Sequence, residues 1–305
     1  MHIVVTGGTG FIGRPLCASL VQEGHRVTLL TRRKEEAQRL FGSAVTAVEW
    51  NGTETGAWEQ SLEGADAVIN LAGAPIADAR WTDARKRLLT LSRVLTTRLL
   101  VVAMSRQSSK PLTLINASGI GYYGACDDRV LKEGAARGQG FLADLCLAWE
   151  AEALRAAEFG VRVVMLRTGM VLEQDGGALP KMLLPFRLFA GGPILPGTQW
   201  VSWIHRRDHI GLIQWLITAP NVSGPVNAVA PEAVRMSRFC EVLGQTIHRP
   251  SWLPVPGFAL HLALGELGTL MTTGQRVHPA KALSGGYVFH YPTLESALQA
   301  IMTKG

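Results

Sequence analysis

Gly7, Gly10 and Gly13, in the stretch GGTGFIG, follow the β-branched run HIVVT and lead into PLCASLVQEG, where apolar residues recur at helical spacing before a terminal glycine. With the next apolar run, VTLLT, this reads as strand, turn, helix, strand. Glycines at this spacing open a helix and let backbone N–H groups approach a pyrophosphate, from which any bulkier residue would hold the phosphates away. The spacing alone is a weak signal. Placed after a strand and before a helix, it has the context that a dinucleotide site requires.

Further apolar runs recur as DAVINLA (66–72), LTLINAS (112–118) and VRVVMLRTG (161–169), separated by stretches of helical periodicity. Such alternation predicts an α/β fold with a doubly wound parallel sheet covered by helices on both faces. We expect residues 1–230 to form this nucleotide-binding domain and residues 231–305 a smaller C-terminal cap. Within the cap, FCEVLGQTIHRP predicts an amphipathic helix, and LPVPGFALHLALGELGTLMTTGQRV an apolar helix interrupted at Gly265 and Gly268. Residues 277–302 predict a turn, a short strand and a closing helix.

Composition narrows the function. Hydrophobic residues make up 47% and charged residues 18% of 305, a globular composition, so no membrane partner is expected. The N-terminus lacks a basic segment followed by an apolar signal stretch, and Cys17, Cys126, Cys146 and Cys240 lie far apart without a CxxC pair. These features predict a cytoplasmic protein with reduced thiols and no metal. The net charge is +6, but the basic residues are scattered and not interleaved with aromatics, so no nucleic-acid partner is expected. An anionic small ligand such as a phosphorylated dinucleotide suits the sign.

About 20 residues after the glycines, a site for NAD would place an acidic residue on the ribose. Thr31, Arg32, Arg33 and Lys34 stand there instead. A guanidinium suits a 2′-phosphate, so NADP(H) is preferred over NAD(H); the bland alternative is an exposed basic loop.

TGGTGFIG, NLAGAPI, RW at 80–81, SGIGYYG, WE at 149–150, LRTGMVL, GGALPKMLLPFRLFAGGPILPG, SWIHRRD and GQRVHPAKALSGGYVF occur in this order along almost the whole chain. Together they resemble the extended short-chain dehydrogenase/reductases, and more narrowly their atypical, epimerase-like branch of nucleoside-diphosphate-sugar epimerase homologues. The resemblance implies a Rossmann sheet of the extended type. It implies that Gly7, Thr9, Gly10, Phe11, Ile12 and Gly13 hold the pyrophosphate, and that Thr31 and Arg32 lie near the adenosine ribose. Leu71, Ala72 and Gly73 would pass beside the adenine and inner ribose, Arg93 would touch the cofactor, and Met170 and Val171 would lie toward the nicotinamide. It also implies a C-terminal part that closes over the nicotinamide end and selects the substrate.

Active members of the wider superfamily use a Ser after the fifth strand and a Tyr-x-x-x-Lys on the following helix. Ser118 fits the first role, or simply caps its strand. No residue from Gly124 to Gly286 is a tyrosine and none from Glu133 to Pro180 is a lysine, so the pair is missing; Cys146 and Glu150 stand where it should fall. Tyr122 and Tyr123 are the replacement acids to consider, against a packing role. Glu150 reads as a poised base or as the partner of an arginine such as Arg155. His205 and Asp208 mark either the substrate cleft or a helix start capped by Asp208 with His205 bonded to a loop. Lys181 and Arg187 would meet a substrate phosphate or carboxylate, or are ordinary exposed cations.

The expected protein is therefore an NADP(H)-dependent oxidoreductase or epimerase-like enzyme for a small polar substrate, anionic or nucleotide-linked. The competing expectation is a redox-sensing or scaffold protein that keeps the nucleotide site without chemistry. Oligomeric state is not set by the sequence.

Overall fold

A computed structural model describes residues 1–303. At its centre lie seven strands: β1 (His2–Thr6), β2 (Arg26–Thr31), β3 (Val45–Glu49), β4 (Ala67–Asn70), β5 (Thr113–Gly119), β6 (Arg162–Thr168) and β7 (Gly224–Ala228). All neighbours are parallel, in the spatial order β7-β6-β5-β4-β1-β2-β3. The chain first builds outward to β3, then returns to place β4 on the other side of β1, with Thr6 opposite Asn70. That reversal opens a crevice at the carboxyl ends of β1 and β4, where ligands bind in sheets of this kind.

Its helices include α1 (Gly13–Gln22), α2 (Lys34–Phe41), α3 (Asp83–Arg106), α4 (Phe141–Leu154), α5 (Leu179–Arg187), α6 (Arg206–Thr218), α7 (Met236–Thr246) and α8 (Gly257–Leu264). Strand periodicity explains how they cover both faces. Ile3 and Val5 enter one core with Leu16 and Leu20 of α1 and Ile213 and Leu216 of α6. Val4, between them, enters the opposite core with Leu100, Val101 and Met104 of α3 and Ala153 of α4. Helix α3 is long and apolar enough, by length and composition, to cross a membrane. It nevertheless buries Arg93, Thr96 and Thr97 as well as Leu89 and Leu100.

The edge strands β3 and β7 were not among the runs singled out from sequence. Only Val45 of β3 is fully buried, so its apolar signal is faint. β7 reads GPVNA, and a strand containing Gly and Pro resembles a turn; at the sheet edge the missing N–H of Pro225 is tolerated.

The cap has its own core, and this draws on residues before 230 as well as after. Leu172, Leu179, Leu183 and Trp203 pack with Phe239, Leu243, Leu298 and Ile301. The amphipathic segment forms α7. The apolar one forms α8, breaks at Gly265, turns through Gly265–Gly268 and resumes over Thr269–Thr272. The short strand expected within 277–302 forms instead at Arg276–Val277, paired with Val130–Leu131, and the closing helix spans Leu294–Met302.

Candidate functional site

The glycine turn is shaped by close backbone approach. Gly7 sits at φ +70°, where L side chains are strained, and a Cβ there would lie 2.8 Å from the Leu71 carbonyl. A Cβ at Gly13 would run into the Gly7 carbonyl oxygen, so this glycine sets how closely α1 packs on β1. Helix α1 has no side-chain cap and no acidic residue in its first turn. Arg14 N–H donates to the Gly10 carbonyl at 2.9 Å and Pro15 has no N–H, so the amides left for an anion are those of Ile12 and Gly13. Phe11 lies beneath a hairpin turn: a Cβ at Gly176 would stand 2.5 Å from its ring, and the Arg206 guanidinium lies 5.0 Å from the ring centroid. Thr9 and Ile12 are half-buried in the same turn.

At the end of β2 the expected basic residues divide. Arg33 pairs with Glu36 at 2.8 Å and donates its backbone N–H to the Oγ1 of buried Thr31. Arg32 is exposed and has no carboxylate partner among the described residues. It is the cation left available at the end of β2.

Leu71, Ala72 and Gly73 continue β4 along the other wall of the crevice. Ala72 N–H donates to Thr6 Oγ1, which itself donates to Asn70 Oδ1 at 2.6 Å. Asn70 donates in turn to Asn116 and Thr97, and the Trp149 indole donates to Thr97. This buried polar ladder crosses β1, β4 and β5 just below the crevice and was not anticipated. Its sequence signal was the repeated Asn at corresponding places in NLA and NAS. Arg93 lies beside Gly73 with its guanidinium carbon 5.2 Å from the Trp149 ring centroid. It donates to the Ala74 and Leu89 carbonyls, but its Nε is buried and unpartnered, and burial pulls its pKa down to about 10. A buried cation without a carboxylate fits an anionic or oxygen-rich ligand passing Gly73.

At the far end of the crevice, Ser118 donates to Glu150 Oε1 at 2.7 Å. Glu150 is gripped by Arg167 through two bonds of 2.8 Å, with both side chains buried. Arg155 is therefore not the partner; it binds Glu152. Burial works against the Arg167 charge, but the bonds and charge of Glu150 outweigh it and hold the guanidinium protonated. Arg167 donates further to the Tyr123 hydroxyl at 3.0 Å, and Tyr123 donates to Asn227 Oδ1 at 2.7 Å. Burial raises the Tyr123 pKa, and its proton is committed to Asn227.

Tyr122 differs. It is half-buried, its ring centroid lies 3.4 Å from the Arg167 guanidinium carbon, and its hydroxyl makes no hydrogen bond among the described residues. Sequence reasoning missed Arg167 and Asn227. Their signal was an arginine inside the apolar run VRVVMLRTG, where a charge is rarely buried without a partner.

Cys146, at the place of the missing tyrosine, is buried against the Gly119 carbonyl at 3.6 Å, and burial plus the nearby Glu150 charge push its thiol up to about 11. Helix α4 carries no tyrosine or lysine.

Met170 and Val171 leave β6 as a strand paired with Trp203–His205. There the expected capping role moves. The His205 ring, not Asp208, accepts from the Arg207 N–H and caps α6. Asp208 is buried and accepts the backbone N–H groups of His290 and Tyr291 at 2.8 and 2.9 Å, because these returning amides have no strand partner. Burial raises its pKa despite those bonds. His209 is buried against Thr168 Oγ1 at 2.9 Å, and burial lowers its pKa to about 4. Lys181 reaches the Ala77 carbonyl at 3.4 Å from the cap side, and Arg187 is exposed.

Residues 3–229 match the model of the NAD dependent epimerase/dehydratase family, and residues 255–301 match a domain of unknown function, DUF1731. The chain belongs to that epimerase family. It is similar to the Arabidopsis thaliana epimerase family protein SDR39U1 homolog, chloroplastic (41% identical, covering 99% of this chain and 87% of that protein). It is also similar to epimerase family protein YfhF of Bacillus subtilis (40% identical, covering 99% and 98%). Among solved structures, human epimerase family protein SDR39U1 (isoform 2) with NADPH superimposes with a TM-score of 0.90 at 33% identity, over 100% of both chains. The chain thus shares its fold with that human relative over its whole length.

Proposed function

We propose that this chain is an NADP(H)-dependent oxidoreductase or epimerase-like enzyme for a small polar substrate, with Tyr122 as its proton donor in place of the Tyr-x-x-x-Lys pair. The amides at the start of α1 and the turn Gly7–Gly13 hold the diphosphate, Arg32 recognises the 2′-phosphate, and Arg93 meets the cofactor beside Gly73. When bound, the nicotinamide supplies or accepts hydride. The human relative's structure with NADPH and the partnerless Arg32 both support this choice of cofactor.

The observation that carries the chemistry is Tyr122 lying on Arg167 with its hydroxyl uncommitted. A cation against the ring face favours the negative charge left on the phenol oxygen after proton transfer. Ser118 donates its hydroxyl hydrogen bond to Glu150, so its oxygen lone pairs remain to accept a hydrogen bond from a substrate hydroxyl. Glu150 and Arg167 position these two groups.

The closure of Ser118, Glu150, Arg167 and Tyr123 into one buried network also suits a second reading, a nucleotide-sensing or scaffold protein in which those bonds are purely structural. Two measurements decide. Calorimetry should give NADPH at least tenfold tighter binding than NADH, with Arg32→Ala removing most of the difference; equal affinities in the unaltered protein would remove the role of Arg32. Incubation with NADPH and a metabolite extract should then oxidise the cofactor, and both Ser118→Ala and Tyr122→Phe should abolish this. Oxidation unchanged in both variants discards the catalytic assignment, and none with any extract favours the sensor.

A further inference from the structure

Helix α8 reads GFALHLAL, in which His261 is the one polar side chain. A helix that is apolar all round is ordinarily buried, in a protein core or in lipid. No residue of α8 is buried within this chain, and Phe258 is 76% and Leu262 79% exposed. The helix therefore projects as an apolar ridge.

The ridge continues into a wider face. Of 18 large apolar side chains exposed among the described residues, eight fall within 184–195 and 252–262, and the fold lays these two stretches side by side. The Trp252 and Leu253 N–H groups both donate to the Gly191 carbonyl, at 2.9 and 3.1 Å, and the Trp252 indole donates to the Phe189 carbonyl at 3.0 Å. Leu195 N–H donates to the Val255 carbonyl at 2.9 Å, just before α8 begins. Apolar residues gathered in this way, and not scattered singly, mark a surface that something covers.

Charge says what covers it. No aspartate or glutamate occurs from Gly176 to Arg207 or from Val242 to Gly265. The acidic residues that bound the second stretch are occupied, Glu241 by Arg238 at 2.9 Å and Glu266 by Lys86. Arg187 closes α5 beside exposed Leu184 and Leu188, and the Arg249 guanidinium carbon lies 4.6 Å from the Phe189 ring centroid. Neither arginine has a carboxylate partner among the described residues.

A second copy meeting this face across a two-fold axis would set these cations against themselves. A partner helix would need a groove, where α8 offers a ridge. A bilayer with anionic headgroups matches both features, since its interface takes up Trp, Phe and Leu side chains while its phosphates meet guanidinium groups. The end of α8 also suits a layer poor in water: Arg80 donates to the Leu262 and Ala263 carbonyls, which a helix end otherwise leaves open.

We propose that α8, with the adjoining stretches 184–195 and 252–253, is a docking face for an anionic lipid surface, on which the chain rests without spanning it. This reverses the expectation of no membrane partner, which rested on whole-chain composition; composition does not register a face that only the fold gathers. None of the residues assigned above to the nucleotide, and neither Ser118 nor Tyr122, belongs to it, so it stands whether or not the reading of the crevice holds.

The test is flotation of the full chain with two kinds of vesicle, pure phosphatidylcholine and an equimolar mixture with phosphatidylglycerol. Partitioning should be about tenfold stronger onto the mixed vesicles, and high salt should remove most of that difference. Mixed vesicles with brominated acyl chains should quench a fluorescence component that Trp252→Phe lacks. Phe258→Ser combined with Leu262→Ser, both surface changes, should weaken partitioning at least tenfold without altering the melting temperature or NADPH affinity. Arg187→Gln combined with Arg249→Gln should lower binding on mixed vesicles to the level of neutral ones. No binding to mixed vesicles, equal binding to both kinds, or binding undiminished by the Phe258 and Leu262 changes would each overturn the proposal. A dimer in sedimentation that those same two changes dissolve would also overturn it, by giving the face to a second copy.

Discussion

The two ends of the crevice solve opposite problems. At the glycine turn, the chain removes side chains so that backbone donors stay free, with an uncapped α1 and a partnerless Arg32 waiting for an anion. At the carboxyl ends of β5 and β6, it adds charged side chains and then satisfies nearly all of them with one another, from Ser118 through Glu150 and Arg167 to Tyr123 and Asn227. The first end is incomplete without a ligand; at the second, Tyr122 alone is left over among the described residues. A binding site can thus be recognised by what is left unsatisfied, and a positioning network by what is not.

The contrast is broken most forcefully at Arg167. Replacing it with Met strands the buried Glu150 carboxylate and should cost about 3–5 kcal/mol in urea unfolding, whereas Arg167→Met combined with Glu150→Met should recover most of that loss. A double variant as unstable as the single one would show that the pair is not the unit described here. At the opposite end, Gly13→Ala forces a methyl group against the Gly7 carbonyl and should cost about 1–3 kcal/mol while abolishing NADPH binding. Retained affinity would mean that α1 can retreat from β1 without losing the site.

His209 offers a test by pH. Its folded pKa of about 4 lies below the ordinary value of 6.5, so between these values the unfolded chain binds the extra proton and stability falls as pH is lowered. The loss should reach about 3 kcal/mol by pH 4 and should shrink in His209→Gln, measured by chemical unfolding from pH 7 down to pH 4. An identical pH dependence in the variant would contradict the burial of a neutral imidazole.

The finest comparison is between adjacent tyrosines. Tyr123→Phe leaves the Asn227 and Arg167 groups short of a partner and should cost about 1–3 kcal/mol, whereas Tyr122→Phe should change stability by less than about 0.5 kcal/mol. Equal costs would place the Tyr122 hydroxyl in a bond of its own.

The same contrast explains what could be read from the sequence. The glycine turn was legible because backbone geometry admits almost one residue type at Gly7 and Gly13, and because the elements it joins are adjacent in the chain. The alternating strands β1, β2, β4, β5 and β6 were legible from their apolar runs, while β3 and β7 fell below notice because an edge strand buries less. The network was not legible. Glu150 and Arg167 meet across 17 residues, and Tyr123 and Asn227 across 104, distances over which no local periodicity carries information. The reassignment of Asp208 has the same origin, since its donors arrive from the far end of the chain.

That carboxylate has a temporal consequence. The amides that bind Asp208 belong to residues 82 and 83 positions further along, so during synthesis α6 is made well before its acceptor can be satisfied. The last layer of the nucleotide platform therefore stays unlatched until residues 290 and 291 have been made, which ties its consolidation to a segment some 80 residues downstream.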